Sequence, residues 1–341
     1  MTISKEPYSI AEKSNNHQKN KSNDKENDDT KEGTFNQENL ENIMEEILEL
    51  LNIDISYNKR LSEIENITNN LDSNYPILNL NIVSPQQNYE DNTFIITPKG
   101  LQNSKRGAKD GIVLFGYERQ NKIININTEN NLCDNLNSEE KNNIEEPDDF
   151  LLNDFVFPIE EKENNSGIYE FPNFAIFFNT KDKKYYIKDF NNGIGALMKI
   201  KKYKIEGNAL INIGSNYLVI NIEKNKIILK IFNQTILENN NKKGKNCDLK
   251  EISIENNKNK IISIGRSEKC DITIDDVMLS KIHTTIEYKS KEKLFYLYDG
   301  DMKKESTNGT WAFIPNPIQI TNNFMFKAEH TLFIVNLTNN K

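Results

Sequence analysis

Between residues 265 and 310 the chain sets out three short polar clusters, Gly265-Arg266, Ser280-Lys281-Ile282-His283 and Ser306-Thr307-Asn308-Gly309-Thr310, separated by strand-like stretches. Their chemistry suits the capture of a phosphate group. Arginine offers a planar, permanently charged fork that makes two parallel charge-assisted hydrogen bonds to phosphate oxygens, where lysine offers only a point charge. Ser280 and Thr307 add short hydroxyl donors, and Asn308 is a side chain suited to bonding across a loop. Gly265 and Gly309 stand where strand-end turns need a positive φ or a close backbone approach. To act together, the three clusters must be loops at one end of a sheet.

Catalytic readings of the same residues fare worse. Ser280 and His283 are not framed by a Gly-x-Ser-x-Gly elbow, and a strand beginning between them would turn them to opposite faces. Asp275 and Asp276 are adjacent, so in a turn they diverge, and a solvated loop accounts for them. Asp299-x-Asp301 begins like a calcium loop, but Lys303 and Lys304 fill positions that need a ligand oxygen and a glycine. His17 and His330 lie far from His283 in sequence, and no Gly-x-x-x-x-Gly-Lys loop is present. The expectation is no catalytic residue, no metal ligand, no cofactor and no enzymatic activity.

The ordered set of clusters resembles the forkhead-associated (FHA) domain, a β-sandwich that binds phosphothreonine peptides. The resemblance rests on Gly265-Arg266 after Ile261–Ile264, Cys270-Asp271-Ile272, Ser280 and His283, the Thr284–Tyr288 stretch, Tyr296 to Asp299, and the Ser-Thr-Asn-Gly-Thr loop. It implies that Arg266, Ser280 and Thr307 contact phosphate, that Lys281 is a second contact, and that Asn308 grips the peptide backbone. It implies a bracing role for His283, with Gly265 and Gly309 shaping the loops. The stretch Gly300–Glu305 lengthens the loop before Ser306.

Composition divides the chain. Only 36% of the 341 residues are hydrophobic, and the first ninety are dominated by Asn, Lys, Glu and Asp, too polar to bury enough surface to offset chain entropy. Residues 226–341 hold 18 basic and 14 acidic side chains and residues 1–225 hold 25 and 37, which gives +4 against −12. A mildly basic carboxy-terminal module suits an anionic ligand, but it is no dense basic face, so nucleic acid is not expected as a partner. Cys133, Cys247 and Cys270 form no close pair, which points to a reducing compartment. Met1–Glu6 has no apolar core for a signal peptide and no eighteen-residue apolar run occurs, so a cytoplasmic or nuclear protein without membrane association is expected.

The positioning elements follow from periodicity. Residues 1–33 read as a disordered tail. In 34–75, Leu40, Ile43, Met44, Ile47, Leu48 and Leu51 recur at helical spacing, with a weaker repeat at Leu61, Ile64, Ile67 and Leu71. The two helices are either a partner-docking element or a lid. Residues 76–110 read as a linker, with the basic run Thr97–Arg106 as a solvated connector. Short strand signals at Phe155–Ile159, Ala175–Phe178, Lys184–Lys188, Ile211–Ile213 and Tyr217–Ile222 then predict all-β structure. Residues 111–222 resemble a degenerate copy of the same module with an inserted loop near 118–152. Phe115-Gly116-Tyr117 stands at the Gly-Arg position, Phe174 where the histidine would be, and Asn192-Gly193-Ile194 in the second loop. Without the arginine, this copy lacks the charge to hold a dianion.

The fold expected is therefore all-β, two FHA-type sandwiches in tandem (111–222 and 226–338), joined by a short Ile222–Lys226 link and preceded by a tail and short amphipathic helices. The function it implies is that of a phosphothreonine-peptide-binding adaptor or signalling protein. A phosphate-independent scaffold using the sandwich faces and the helix is the alternative. Self-association is a third, through that helix or by docking of phosphorylated Thr30, Thr68 or Thr93 onto Arg266 of another copy.

Overall fold

The computed structural model describes residues 37–70, 75–84, 92–104, 106–117, 152–157, 172–191, 195–223, 226–233, 248–253 and 258–339. The expected tail, nearly all of the inserted loop, Thr30, Asn192, Gly193 and Ile194 lie outside the described residues. Among the described residues no helix is long and apolar enough to cross a membrane.

Helices α1 (Gln37–Leu50) and α2 (Tyr57–Asn69) lead into strands. The strands are β1 (Pro76–Ser84), β2 (Thr93–Thr97), β3 (Gly100–Leu101), β4 (Ile112–Tyr117), β5 (Phe155–Phe157), β6 (Phe174–Asn179), β7 (Lys184–Asp189) and β8 (Ala196–Ile200). There follow β9 (Lys202–Ile205), β10 (Ala209–Ile213), β11 (Asn216–Glu223), β12 (Lys226–Asn233), β13 (Asp248–Ser253), β14 (Lys260–Gly265), β15 (Ile272–Thr273) and β16 (Thr284–Lys289). The last five are β17 (Leu294–Asp299), β18 (Thr310–Phe313), β19 (Ile318–Gln319), β20 (Phe324–Ala328) and β21 (Thr331–Asn339).

One eleven-stranded sheet runs β13-β12-β11-β10-β18-β8-β20-β21-β1-β2-β3. Two five-stranded sheets, β15-β14-β16-β17-β9 and β19-β7-β6-β4-β5, complete the fold. Alternation sets the inner faces. In β17, Phe295, Leu297 and Asp299 are buried while Tyr296 and Tyr298 are only half-buried. Strand β4 is buried at every position from Ile112 to Gly116, because α1 covers its outer face. There Met44, Ile47, Leu48 and Leu51 pack on Ile112, Leu114, Ala175 and Phe177. Each such side chain contributes roughly 1.5–3 kcal/mol by burial. Of the two roles open to the helices, this apolar stripe serves as a lid and is not offered to a partner. Thr68 lies inside α2 and Thr93 inside β2, not in the flexible segments expected for them.

The hydrophobic cores do not follow the linear modules. One core joins Leu78, Leu80, Phe115 and Phe174 to Ile314, Ile320, Phe326 and Phe333. The other joins Ile205, Ile211, Leu218 and Ile220 to Ile227, Ile262, Ile286 and Leu297. The chain thus exchanges its strands. Strand β9 pairs with β17, and the β10–β11 hairpin closes on β18 and β12, while β19 pairs with β7 and β20 with β8.

The crossing point is the antiparallel pair β8 and β18, where Ala312 faces Met198 and Thr310 faces Ile200. Only Lys201 separates β8 from β9, and its carbonyl accepts the Asp299 amide at 3.1 Å, which carries the chain along β17 rather than back beside β7. On the other side Ile314 donates to the Ala196 carbonyl and accepts from the Asp189 amide.

These pairings correct several expectations. The boundaries 111–222 and 226–338 give way to a first sandwich of 76–200 with 314–339 and a second of 202–313. The Ile222–Lys226 link joins two strands paired in one sheet, with Glu223 opposite Lys226, and is not a connector between sandwiches. The 76–110 linker carries β1, β2 and β3. Within its supposedly solvated basic run, Arg106 is buried and paired with Asp110 at 2.8 Å and Asp154 at 3.0 Å. Burial opposes the Arg106 charge, but the two carboxylates outweigh it and hold the guanidinium above its ordinary pKa.

Candidate functional site

The three polar clusters meet at one end of the second sandwich. Strand β14 ends at Gly265 and runs parallel to β15, with Gly265 opposite Thr273. A Cβ on Gly265 would collide with the Lys281 carbonyl, so glycine is required there for close approach. Through that contact the Arg266 amide donates to Ser280 O and the Ser267 amide to Lys281 O, both at 3.1 Å. Ser280 Oγ accepts the Thr307 amide at 3.0 Å and donates to Thr307 Oγ1 at 3.3 Å. The side chains of Arg266 and Lys281 are exposed and make no ion pair or hydrogen bond among the described residues. The corner therefore presents a free guanidinium, an ammonium and two coupled hydroxyls.

His283 is fully buried behind this surface. Its Nδ1 accepts the Ser280 amide at 3.1 Å, which leaves the proton on Nε2 for the Gly309 carbonyl at 3.0 Å. Desolvation holds its pKa below the ordinary value, against the Gly309 bond and the charges of Asp299 and Asp276. Both ring nitrogens are thus engaged by main chain, so His283 braces two loops and is not a base for the Ser280 hydroxyl. Gly309 has φ +79°, and Ser306 Oγ accepts its amide at 2.9 Å.

Four residues support the corner in roles that the sequence did not suggest. Buried Asp299 accepts the hydroxyls of Ser306 at 2.6 Å and Thr310 at 2.9 Å. Their spacing, an aspartate ending a strand and hydroxyls seven and eleven residues later, carries no recognisable local pattern. Trp311 Nε1 donates to the Asn308 carbonyl at 3.1 Å. Asp276, expected to be solvated, accepts three hydrogen bonds, from the amides of Ser215 and Met278 and from Asn216 Nδ2. Asp301 accepts the amides of Lys303 and Lys304 and folds the long loop onto itself.

The first sandwich repeats the register with other chemistry. Phe115 faces Phe174 as Ile264 faces Thr284, which sets Gly116 and Tyr117 level with Gly265 and Arg266. The residue level with His283 is Asn173, not Phe174: its amide donates to Phe115 O as that of His283 donates to Ile264 O. The ring of Phe174 instead stacks on Phe115 in the core at 4.4 Å. Asp189, level with Asp299, is pushed up to about 7 by burial, despite main-chain bonds from Ala196 and Asn191.

Residues 262–327 match the family model of the FHA domain. No curated protein and no solved structure matches the chain. The matched stretch contains every residue of the polar corner from Gly265 to Thr310. Its end takes in β19 and most of β20, which pack in the other sandwich. With that match laid on this corner, the chain carries an FHA domain across residues 262–327, a phosphopeptide-binding type of module in the protein-interaction class.

Proposed function

We propose that the chain is a phosphothreonine-dependent adaptor, reading a phosphorylated partner protein through the loops of the second sandwich. Arg266 makes the bidentate contact to phosphate, Ser280 and Thr307 donate their hydroxyls, and Lys281 adds a second cation. Asn308 holds the peptide main chain, while Gly265, His283 and Gly309 keep the loops in place. The observation that carries this reading is the exposed, unpaired Arg266, whose main-chain amide bonds to Ser280, the residue whose hydroxyl pairs with that of Thr307. A phosphate brings about −1.5 to −2 charges and three acceptor oxygens, which matches that donor set.

The first sandwich has Tyr117 in place of the arginine and contributes as a support, sharing a continuous sheet with the reader. Screening the full chain against a peptide library containing threonine and phosphothreonine tests the proposal. Enrichment of phosphothreonine sequences is expected, and equal recovery of both forms would overturn it.

A further inference from the structure

Asp276 faces none of the proposed phosphate contacts, yet it is the best-connected carboxylate of its loop. Oδ2 accepts the Ser215 amide at 2.9 Å and Asn216 Nδ2 at 2.8 Å, both from the β10–β11 turn. Oδ1 accepts the Met278 amide at 2.8 Å. The Met278 carbonyl in turn accepts Asn308 Nδ2 at 2.7 Å. A continuous path of hydrogen bonds therefore joins a turn lying fifty residues before Arg266 to the side chain of Asn308.

Burial holds the ends of the loop, where Leu279 is 2% exposed and Ile274 packs against the second core, but not its tip. Val277 is 88% exposed and Met278 49% exposed, so hydrogen bonds set the conformation there. Its anchor is firm, because Asn216 is buried and its carbonyl accepts Asn212 Nδ2 at 3.1 Å. Gly214, at φ +52°, allows the approach, since a Cβ there would lie 2.7 Å from Asp276 Oδ2. The amide nitrogen of Asn308 is thereby occupied, and its Oδ1 is left to accept a main-chain N–H from a bound peptide.

We infer that Asp276 is a positioning residue that presets Asn308 for the peptide main chain, with the exchanged β10–β11 hairpin as its anchor. This rests on the phosphopeptide reading of the corner. Ser280 is fixed separately by His283, and Arg266 by the Ser280 carbonyl, so the phosphate contacts do not depend on Asp276. Loss of Asp276 should therefore weaken the grip on peptide and spare the grip on phosphate.

The test uses the full chain and the variants Asp276→Ala, Asp276→Asn, Asn308→Ala and the Asp276→Ala/Asn308→Ala pair. Each is titrated with a phosphothreonine peptide and with end-blocked phosphothreonine alone. Asp276→Ala and Asn308→Ala should each weaken the peptide by roughly tenfold, with the double variant no worse than Asn308→Ala, and leave the blocked amino acid within about twofold. Additive losses, or equal losses on both ligands, would overturn the inference. Asp276→Asn keeps one acceptor and should fall between wild type and alanine.

A ligand-free measurement separates the two readings. In amide NMR spectra the Asn308 side-chain NH2 signal should move in Asp276→Ala, and an unmoved signal refutes the positioning role. A wild-type chain that binds neither ligand refutes the phosphopeptide reading, and the Asn308 signal then decides the Asp276 contact by itself.

Discussion

The strand exchange makes Leu218→Ala a decisive perturbation. Leu218 lies in β11, in the stretch that sequence order assigns to the first module, yet its side chain is fully buried in the second core. Removing a fully buried leucine side chain costs about 3 kcal/mol, within the usual 2–5 kcal/mol for such a cavity. Amides whose exchange requires opening of that core should lose protection by roughly a hundredfold. Hydrogen exchange read by mass spectrometry on the full chain resolves which amides these are. The account expects the loss in residues 284–299, with residues 174–189 within about threefold of wild type.

Phe333→Ala provides the reciprocal. The Phe333 ring stacks on Phe326 at 4.7 Å and meets Phe115 edge-on, in the first core. Its loss should expose 174–189 and spare 284–299, although sequence order places Phe333 within the second module. The opposite pattern would restore the linear modules. Equal losses in both regions for both variants would refute the reasoning that the two cores open separately.

Two further predictions concern buried ionisable groups. His283→Ala leaves the Ser280 amide and the Gly309 carbonyl without their ring partners and should cost about 2–4 kcal/mol, measured by urea unfolding followed through Trp311, the sole tryptophan. The unfolded histidine takes up a proton as pH falls through about 6.5 while the buried ring resists. Stability from this group is therefore full above that pH and declines below it, and the alanine variant should lack this decline. Asp189 has the opposite sign: its folded pKa of about 7 stands above the ordinary 3.8, so its contribution is full below about 3.8 and is lost as pH rises to about 7. Asp189→Asn should flatten the protection of residues 174–189 between those limits, and an unchanged pH profile would contradict the assignment.

The polar corner was legible because each of its parts is short-range. A Gly-Arg pair, a serine three residues before a histidine, and a Ser-Thr-Asn-Gly-Thr loop each declare their chemistry within a few residues, and strand alternation between them sets their common end. Strand partnership was not legible. Ile211, Ile213, Leu218 and Ile220 show which side faces a core, but period-two patterning says nothing about which core. The decisive feature is the single residue Lys201 between β8 and β9, too short for a return to the first sandwich.

Charged residues misled for a related reason. Asp276 and Arg106 sit in polar runs that read as solvated, and local pattern does not reveal the distant partners Ser215, Asn216 and Asp154 that bind them. The one-residue error at Asn173 arose because the bracing position precedes its strand rather than beginning it.

The central claim is that Arg266 makes the chain discriminate a phosphorylated from an unphosphorylated threonine. The direct measurement is the affinity of wild type and Arg266→Ala for one peptide in both forms, under matched salt. Two charge-assisted hydrogen bonds at about 1.5 kcal/mol or more each imply a loss on the phosphopeptide of roughly a hundredfold or greater. The account predicts that wild type prefers the phosphorylated form and that Arg266→Ala binds the two forms almost equally. An Arg266→Ala chain that keeps the wild-type preference would contradict it.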